Sequence, residues 1–289
     1  MKYIPFSTAA LLLTLFVSCS SDKDELKVVY KLPTTLDEVS GIEWVDSALW
    51  AIEDSGNENN LYRLNTEGDI AHTIRITDAT NVDWEDLASD QTGNIYIGDF
   101  GNNDNLRQDL CIYKVGKETL QNNETTALAK TTFSYPDQTA FPPVASERWY
   151  DVEAFIVYQN HFYLFTKNRS TSSDGSVSLY KIPNQPGPQT ATLLGKFTSC
   201  SDFNTCAITA AAISPDQQKV AILSHDKIWL FEDFANDKFY EGIKTKLSLH
   251  HYSQKEGLAF ISNSLLYIAD EKVKKTGGRV YEFELPASN

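Results

Sequence analysis

No run of apolar residues in this chain is long enough to cross a bilayer as a helix. The longest, Ile4 to Val17, holds about a dozen, where a span needs roughly 20. A 3.6-residue apolar period is missing too, so amphipathic helices are not the building material. Positive charge is scarce: 25 Lys and Arg stand against 39 Asp and Glu, a formal net charge of −14. An acidic face repels phosphate backbones, which argues against nucleic acid as a partner. The four cysteines include no CxxC or Cys/His set with zinc spacing. There is no Gly-x-Ser-x-Gly, no P-loop and no His-Glu-x-x-His. His250 and His251 are adjacent rather than spaced to share one ion, and mark a strand end.

What is present begins with a leader. Met1-Lys2 and the apolar stretch after it form a secretory signal over residues 1–18. Phe16-Val17-Ser18-Cys19 resembles a bacterial lipobox, which implies a lipid on Cys19 and a membrane anchor through it. Residues 19–25 are then an acidic, Ser-rich tether. Lys23-Asp24-Glu25 resembles a surface-export signal, so the expected location is the outer membrane and its outer face, with the periplasmic face as the alternative. In an oxidising compartment Cys200 and Cys206, flanking a turn-like stretch, are expected to pair, and Cys111 in an apolar run to be a buried small hydrophobe.

From residue 26 to 289 one sentence recurs: an acidic position, a short apolar run, a turn, a second β-rich run, and polar or acidic residues again. Copies start at Ser40-Gly41-Ile42, Trp84-Glu85-Asp86, Glu153-Ala154-Phe155, Thr209-Ala210-Ala211 and Glu256-Gly257-Leu258. Their spacing of roughly 45–70 residues marks a repeat architecture, and every element is a strand. The expectation is an all-β chain folded as a single β-propeller of five blades. The last copy is one strand short, and Leu26 to Leu32 can supply it and close the ring. Six blades is the alternative, with extra strands drawn from Pro136 to Tyr150. Asn184 to Pro188 forms a turn.

Blade topology turns this repeat into a site. Residues before a first strand and after a second lie at the same mouth of the channel. That set is Asp83, Glu85 and Asp86 with Asp99, Asn102 and Asn103; Asp151 and Glu153 with Lys167 and Arg169; Glu256 with Asp270 and Glu271; Ser40 with Glu53, Asp54 and Asn57; and His225. Converging carboxylates repel unless a cation or basic group sits among them. Oxygen donors without thiols suit a hard ion, calcium ahead of magnesium. The expected metal ligands are Glu85, Glu153 and Glu256, assisted by Asp83 and Asp99. The alternative is structural, each Glu accepting backbone amides of a neighbouring blade. Trp84, Asp54, Asn57, Asn102, Arg148, Trp149, Lys167, Arg169 and Asp270 are the candidate ligand-binding residues.

Val39 to Ile42, Leu49 to Asn57 and Asn81 to Ala88 resemble exported bacterial propellers: the SdiA-regulated (YjiK-like) proteins and the phytase-like group named for an esterase-like activity of phytase. The resemblance implies calcium ligands in Lys255-Glu256-Gly257-Leu258 and Trp84-Glu85-Asp86-Leu87, and less closely in Asp151-Val152-Glu153. True phytases also bring basic residues to the phosphate, and here only Arg107, Arg148, Lys167, Arg169 and Lys255 are placed to help. Three functions are therefore compatible: a monomeric calcium-binding propeller for binding or signalling, with a small-molecule, glycan or protein ligand; a metal-assisted phosphoester or ester hydrolase; and a carbohydrate-binding or carbohydrate-cleaving propeller with Trp84, Trp149 and Tyr150 as stacking platforms.

Overall fold

The computed structural model describes residue 1 and residues 26–286. The leader from Lys2 onward, Cys19 and Lys23-Asp24-Glu25 lie outside the described residues. After β1 (Lys27–Lys31), blade I holds β2 (Val39–Val45), β3 (Ala48–Glu53), β4 (Asn60–Leu64) and β5 (Ile70–Ile76). Blade II holds β6 (Trp84–Ser89), β7 (Ile95–Asp99), β8 (Cys111–Val115) and β10 (Ala129–Ser134), with β9 (Glu124–Thr125) falling between the last two in the chain but pairing elsewhere. Blade III holds β11 (Asp151–Tyr158), β12 (His161–Lys167), β13 (Ser176–Pro183) and β15 (Thr192–Thr198), with β14 (Gly187–Thr190) falling between the last two in the chain but pairing elsewhere. Blade IV holds β16 (Ile208–Ile213), β17 (Val220–Ser224), β18 (Lys227–Glu232) and β19 (Ile243–Ser248). Blade V holds β20 (Lys255–Phe260), β21 (Leu265–Asp270) and β22 (Arg279–Glu284).

The sheets number five, so the fold is the expected five-bladed propeller. β1 pairs antiparallel with β22 and completes blade V from the other end of the chain. The inner strands β2, β6, β11, β16 and β20 each pack against the next, and β20 against β2, so they ring one axis. Such a strand is buried on both faces and carries apolar residues at successive positions. In β11, Val152, Phe155 and Val157 face blade II while Ala154, Ile156 and Tyr158 face blade IV. One apolar cluster fills each of the five gaps between blades. Asp46-Ser47 and Gln159-Asn160 turn their hairpins with both residues at positive φ, the geometry that matches the twist of paired strands.

Two details differ from the sequence reading. β9 adds parallel to β5, and β14 adds parallel to β10, so blades I and II each borrow an outermost strand from the chain of the following blade. The stretch read as a turn at 184–188 therefore already starts a strand at Gly187. Pro188 is tolerated because β14 is an edge. The segment from Pro136 to Tyr150 adds no blade. It holds a single 3-10 turn, Ala145–Glu147, and is tied down where the Tyr180 hydroxyl donates to Asp137 Oδ2 at 2.9 Å and Gln138 Nε2 to the Asn105 carbonyl at 3.0 Å. Cys200 and Cys206 are joined by a disulfide, and Cys111 is buried with a free thiol.

Candidate cation site at the channel mouth

Every inner strand opens with the same irregularity. The ladder to the second strand skips one residue, and the residue skipped is Ser40, Glu85, Glu153, Thr209 or Glu256. A bulged residue has no cross-strand partner and bends its strand locally. Five bulges at one register around one axis bring these five side chains to a ring at one mouth of the channel.

Glu85 is joined there by Asp83, just ahead of β6, and by Asp54, at the end of β3. One carboxylate oxygen from each lies within 4.8 Å of the other two. Glycine at 101 makes the room, because a Cβ there would run into Glu85 Oε1 and Asp83 Oδ2. Among the described residues, none of the three forms an ion pair with Lys or Arg. The electrostatics follow. Burial first, then Asp54, pushes Asp83 up to about 7. Burial, then Glu153 and Asp151, drives Glu85 well above its ordinary value, and burial also raises Asp54. Glu256 is raised by burial against the relief it receives from Lys167. Glu271 beside it is pushed up to about 7 by burial and then by Asp54. His225 is pushed down to about 4, by burial and then by Lys167.

The third glutamate has a different fate. Lys167 Nζ lies 2.9 Å from Glu153 Oε2 and Arg169 Nη2 2.6 Å from Glu153 Oε1, while Arg169 Nε lies 2.6 Å from Asp151 Oδ2. Burial alone would raise Glu153, but these two cations outweigh it and hold it below its ordinary value. The mouth is thus divided: blade III neutralises its acids with its own bases, and the Asp54, Asp83 and Glu85 side does not.

Several expected site residues take other roles. Asp99 is committed to Arg107 Nη2 at 2.8 Å and to the Asp83 backbone N–H at 3.2 Å, so it is not a free ligand. Trp84 is fully buried between blades I and II, its Nε1 donating to the Thr80 carbonyl at 3.2 Å, and cannot stack on a ligand. Tyr150 is likewise core, and Lys196 Nζ lies over one face of the half-buried Trp149 ring at 5.0 Å. Asn102 is buried, donating to the Tyr150 carbonyl and accepting from the Arg107 backbone N–H. Asp270 is buried, holding the Tyr281 hydroxyl at 2.8 Å and the Arg279 N–H at 2.9 Å. Asn57 sits on the rim and donates to Glu38 Oε2 at 2.8 Å. Arg148 faces Asp104 at 3.6 Å.

Backbone amides in the channel are indeed held by a carboxylate, but by Asp86 rather than by the glutamates. Its Oδ1 accepts from Leu87 N at 2.9 Å and its Oδ2 from Phe155 N at 3.0 Å and Ala211 N at 3.4 Å, reaching three inner strands. Thr209 is the ring member that residue chemistry alone did not single out as a ligand. Its register with Glu85 and Glu256 was the available signal. The hydroxyls of Ser40 and Thr209 are both buried without a hydrogen-bond partner among the described residues. Two orphaned hydroxyl oxygens, oxygen-only carboxylate donors and a cradle that a Cβ would fill all fit a hard cation.

No protein-family model and no curated protein matches the chain. Solved structures do resemble it. The PQQ-bound aldose sugar dehydrogenase of Streptomyces coelicolor is similar at a TM-score of 0.52 and 10% identity, over 90% of this chain and 97% of that one. The gluconolactonase XC5397 of Xanthomonas campestris gives a TM-score of 0.48 at 12% identity, over 90% and 89%. The β-propeller domain of Myceliophteria thermophila Cps50 (Swd1) gives 0.47 at 10%, over 90% and 100%. At such identities the likeness is one of propeller fold.

Proposed function

We propose that this chain is an exported, lipid-anchored β-propeller that binds calcium at one channel mouth and presents that face to a ligand, as a binding or signalling module. The observation that carries the reading is the trio Asp54, Asp83 and Glu85, with oxygens within 4.8 Å of one another and, among the described residues, no basic side chain paired to them. Asp54, Asp83 and Glu85 would hold the ion, with Glu256 and the Ser40 and Thr209 hydroxyls on the same ring. When bound, calcium would supply the positive charge that lets these buried carboxylates ionise together. The resemblance to SdiA-regulated and phytase-like propellers belongs to this reading; it rests on Val39 to Ile42, Leu49 to Asn57 and Asn81 to Ala88, and the motifs around Glu85 and Glu256 match the calcium-ligand pattern of the phytases.

The rival functions have less to work with. A phosphoesterase needs free cations for phosphate, and Lys167 and Arg169 are spent on Glu153 and Asp151. A carbohydrate site needs exposed aromatic faces, and Trp84 and Tyr150 are buried.

A ligand bound by the native state alone stabilises it by mass action. The melting temperature should rise with calcium, rise less with magnesium, and fall in chelator. Glu85→Gln should blunt the calcium response while leaving a folded protein. A wild-type melting temperature indifferent to calcium and chelator, with no heat of calcium binding by calorimetry, would falsify the cation site.

A further inference from the structure

The opposite mouth of the channel has its own chemistry, independent of the cation site. Farther along the inner strands, Glu43 stands level with Ala88, Ile156, Ala212 and Ala259. It is a lone acid where the other blades carry apolar residues. The strand ends line an open cavity of about 510 Å³ to which all five blades contribute. Its walls include Trp44, Val157, Ile213 and Phe260, with hydroxyl and carboxamide groups at the rim. Its surface is divided evenly between polar and apolar groups, and a concavity of a few hundred Å³ with fixed polar groups beside an apolar wall has the form of a small-molecule pocket.

No lysine, arginine or histidine lines it among the described residues. Glu43 Oε1 accepts the Trp44 backbone N–H at 3.0 Å, the Ser89 hydroxyl also hydrogen-bonds its carboxylate, and among the described residues no Lys or Arg forms an ion pair with it. The other acid at the rim, Asp90, is saturated: it accepts from the Thr92 hydroxyl, the Asn94 amide and the Tyr96 hydroxyl, and faces Lys114 at 3.7 Å. Asp86 lies deeper in the channel and is filled by three backbone amides. Among the described residues that line the cavity, Glu43 is therefore the acid that keeps acceptor capacity beyond Trp44 and Ser89 and has no counter-charge. Burial pushes it up to about 8 in the free protein. A metal ion would need more free oxygens than one carboxylate offers. A single carboxylate against an apolar wall suits an ammonium group on an apolar body.

We propose that this lower cavity binds a small organic amine, with its ammonium on the Glu43 carboxylate and its apolar part against Trp44, Val157 and Phe260.

The test uses 2-phenylethylamine as probe and 2-phenylethanol as its uncharged match. Calorimetric titration of the wild-type protein should show saturable amine binding at least tenfold tighter than the alcohol, with a change in Trp fluorescence from Trp44. Pairing with the ammonium takes the proton off Glu43. Affinity should then rise about tenfold per pH unit from pH 6 towards 8 and level above it. Glu43→Gln should weaken amine binding at least tenfold and leave the calcium response of the other mouth intact. Equal binding of amine and alcohol, a flat pH profile, unchanged affinity in a folded Glu43→Gln protein, or no saturable binding of the amine would each overturn the proposal. If the variant does not fold, the wild-type pH profile and the amine-to-alcohol ratio decide.

Discussion

Glu271 shows how a single side chain reports on the crowded mouth. Its ordinary value of 4.5 is raised to about 7, by burial and then by Asp54, Glu38 and Glu153. A carboxylate raised in the folded state favours folding most below its unfolded value, and that stabilisation is lost as pH climbs through the folded one. Glu271 thus lowers stability progressively between about pH 4.5 and 7. Glu271→Gln should flatten this part of the profile, so that in chelator the variant melts higher than wild type at pH 8 and no higher at pH 4.5. Parallel melting curves for the two proteins across that range would count against the placement of Glu271 in the acid field. At this scale the sequence carried much of the site. Repeated acids before apolar runs pointed to Glu85, Glu153 and Glu256, which do occupy one ring. The sequence also placed Lys167 and Arg169 near Asp151 and Glu153, but did not show which acids those bases would neutralise. Glu153 differs from Glu85 because Lys167 and Arg169 fold back onto it from the end of β12 and just beyond, a contact set by strand pairing rather than by the local pattern.

Strands and bulges explain why one acid became structural. At the position after each bulge the inner strands carry Gly41, Asp86, Ala154, Ala210 and Gly257. Four small residues leave the channel open enough for the one carboxylate to reach Phe155 N and Ala211 N on other blades. Gly41 is needed for a second reason: a Cβ there would lie 2.7 Å from Leu87 N, closer than β2 and β6 could tolerate. An unsatisfied buried amide costs about 1–3 kcal/mol. Asp86→Ala frees the amides of Leu87, Phe155 and Ala211, with water able to recover part of the loss. Urea unfolding should show Asp86→Ala destabilised by about 2–4 kcal/mol, with Asp86→Asn less affected because its carbonyl oxygen can still accept. A midpoint equal to wild type would show that Asp86 does not tie the inner strands together. The acid-plus-apolar motif at residues 83–88 looked the same for Glu85 and Asp86. The bulge separates them, sending one to the mouth and the other into the channel.

The closed ring is a property of the whole molecule. β1 pairs with β22 through Lys27 with Glu282 and Lys31 with Arg279, and Leu32 and Tyr30 pack in or against the cluster between blades V and I. An open propeller would expose the β22 edge and that cluster, and exposed edges pair with other chains. A protein that starts after Leu32 should therefore lose its cooperative thermal transition or elute as oligomers in size-exclusion chromatography. Sharp two-state melting of a monomeric truncated chain would mean that the ring does not depend on β1 for closure.

The amino-acid pattern by itself determined that this chain is all-β and repeated, and pointed to five blades closed by the first strand with six as the alternative, which the structure decided. Those features follow from short-range chemistry: alternating burial, turn residues at hairpin ends, and a strand count one short at the end. The turn at 184–188 and the segment at 136–150 were less legible, because whether a stretch joins an edge depends on a neighbour distant in sequence. Tertiary structure alone decided which carboxylates are free. Asp99 goes to Arg107, Glu153 to Lys167 and Arg169, and Asp86 to three backbone amides, leaving Asp54, Asp83 and Glu85 together. Ion pairs and hydrogen bonds act over a few ångströms in space, and most of the decisive partners come from elsewhere in the chain: Lys167 from the neighbouring strand, and the Phe155 and Ala211 amides from other blades.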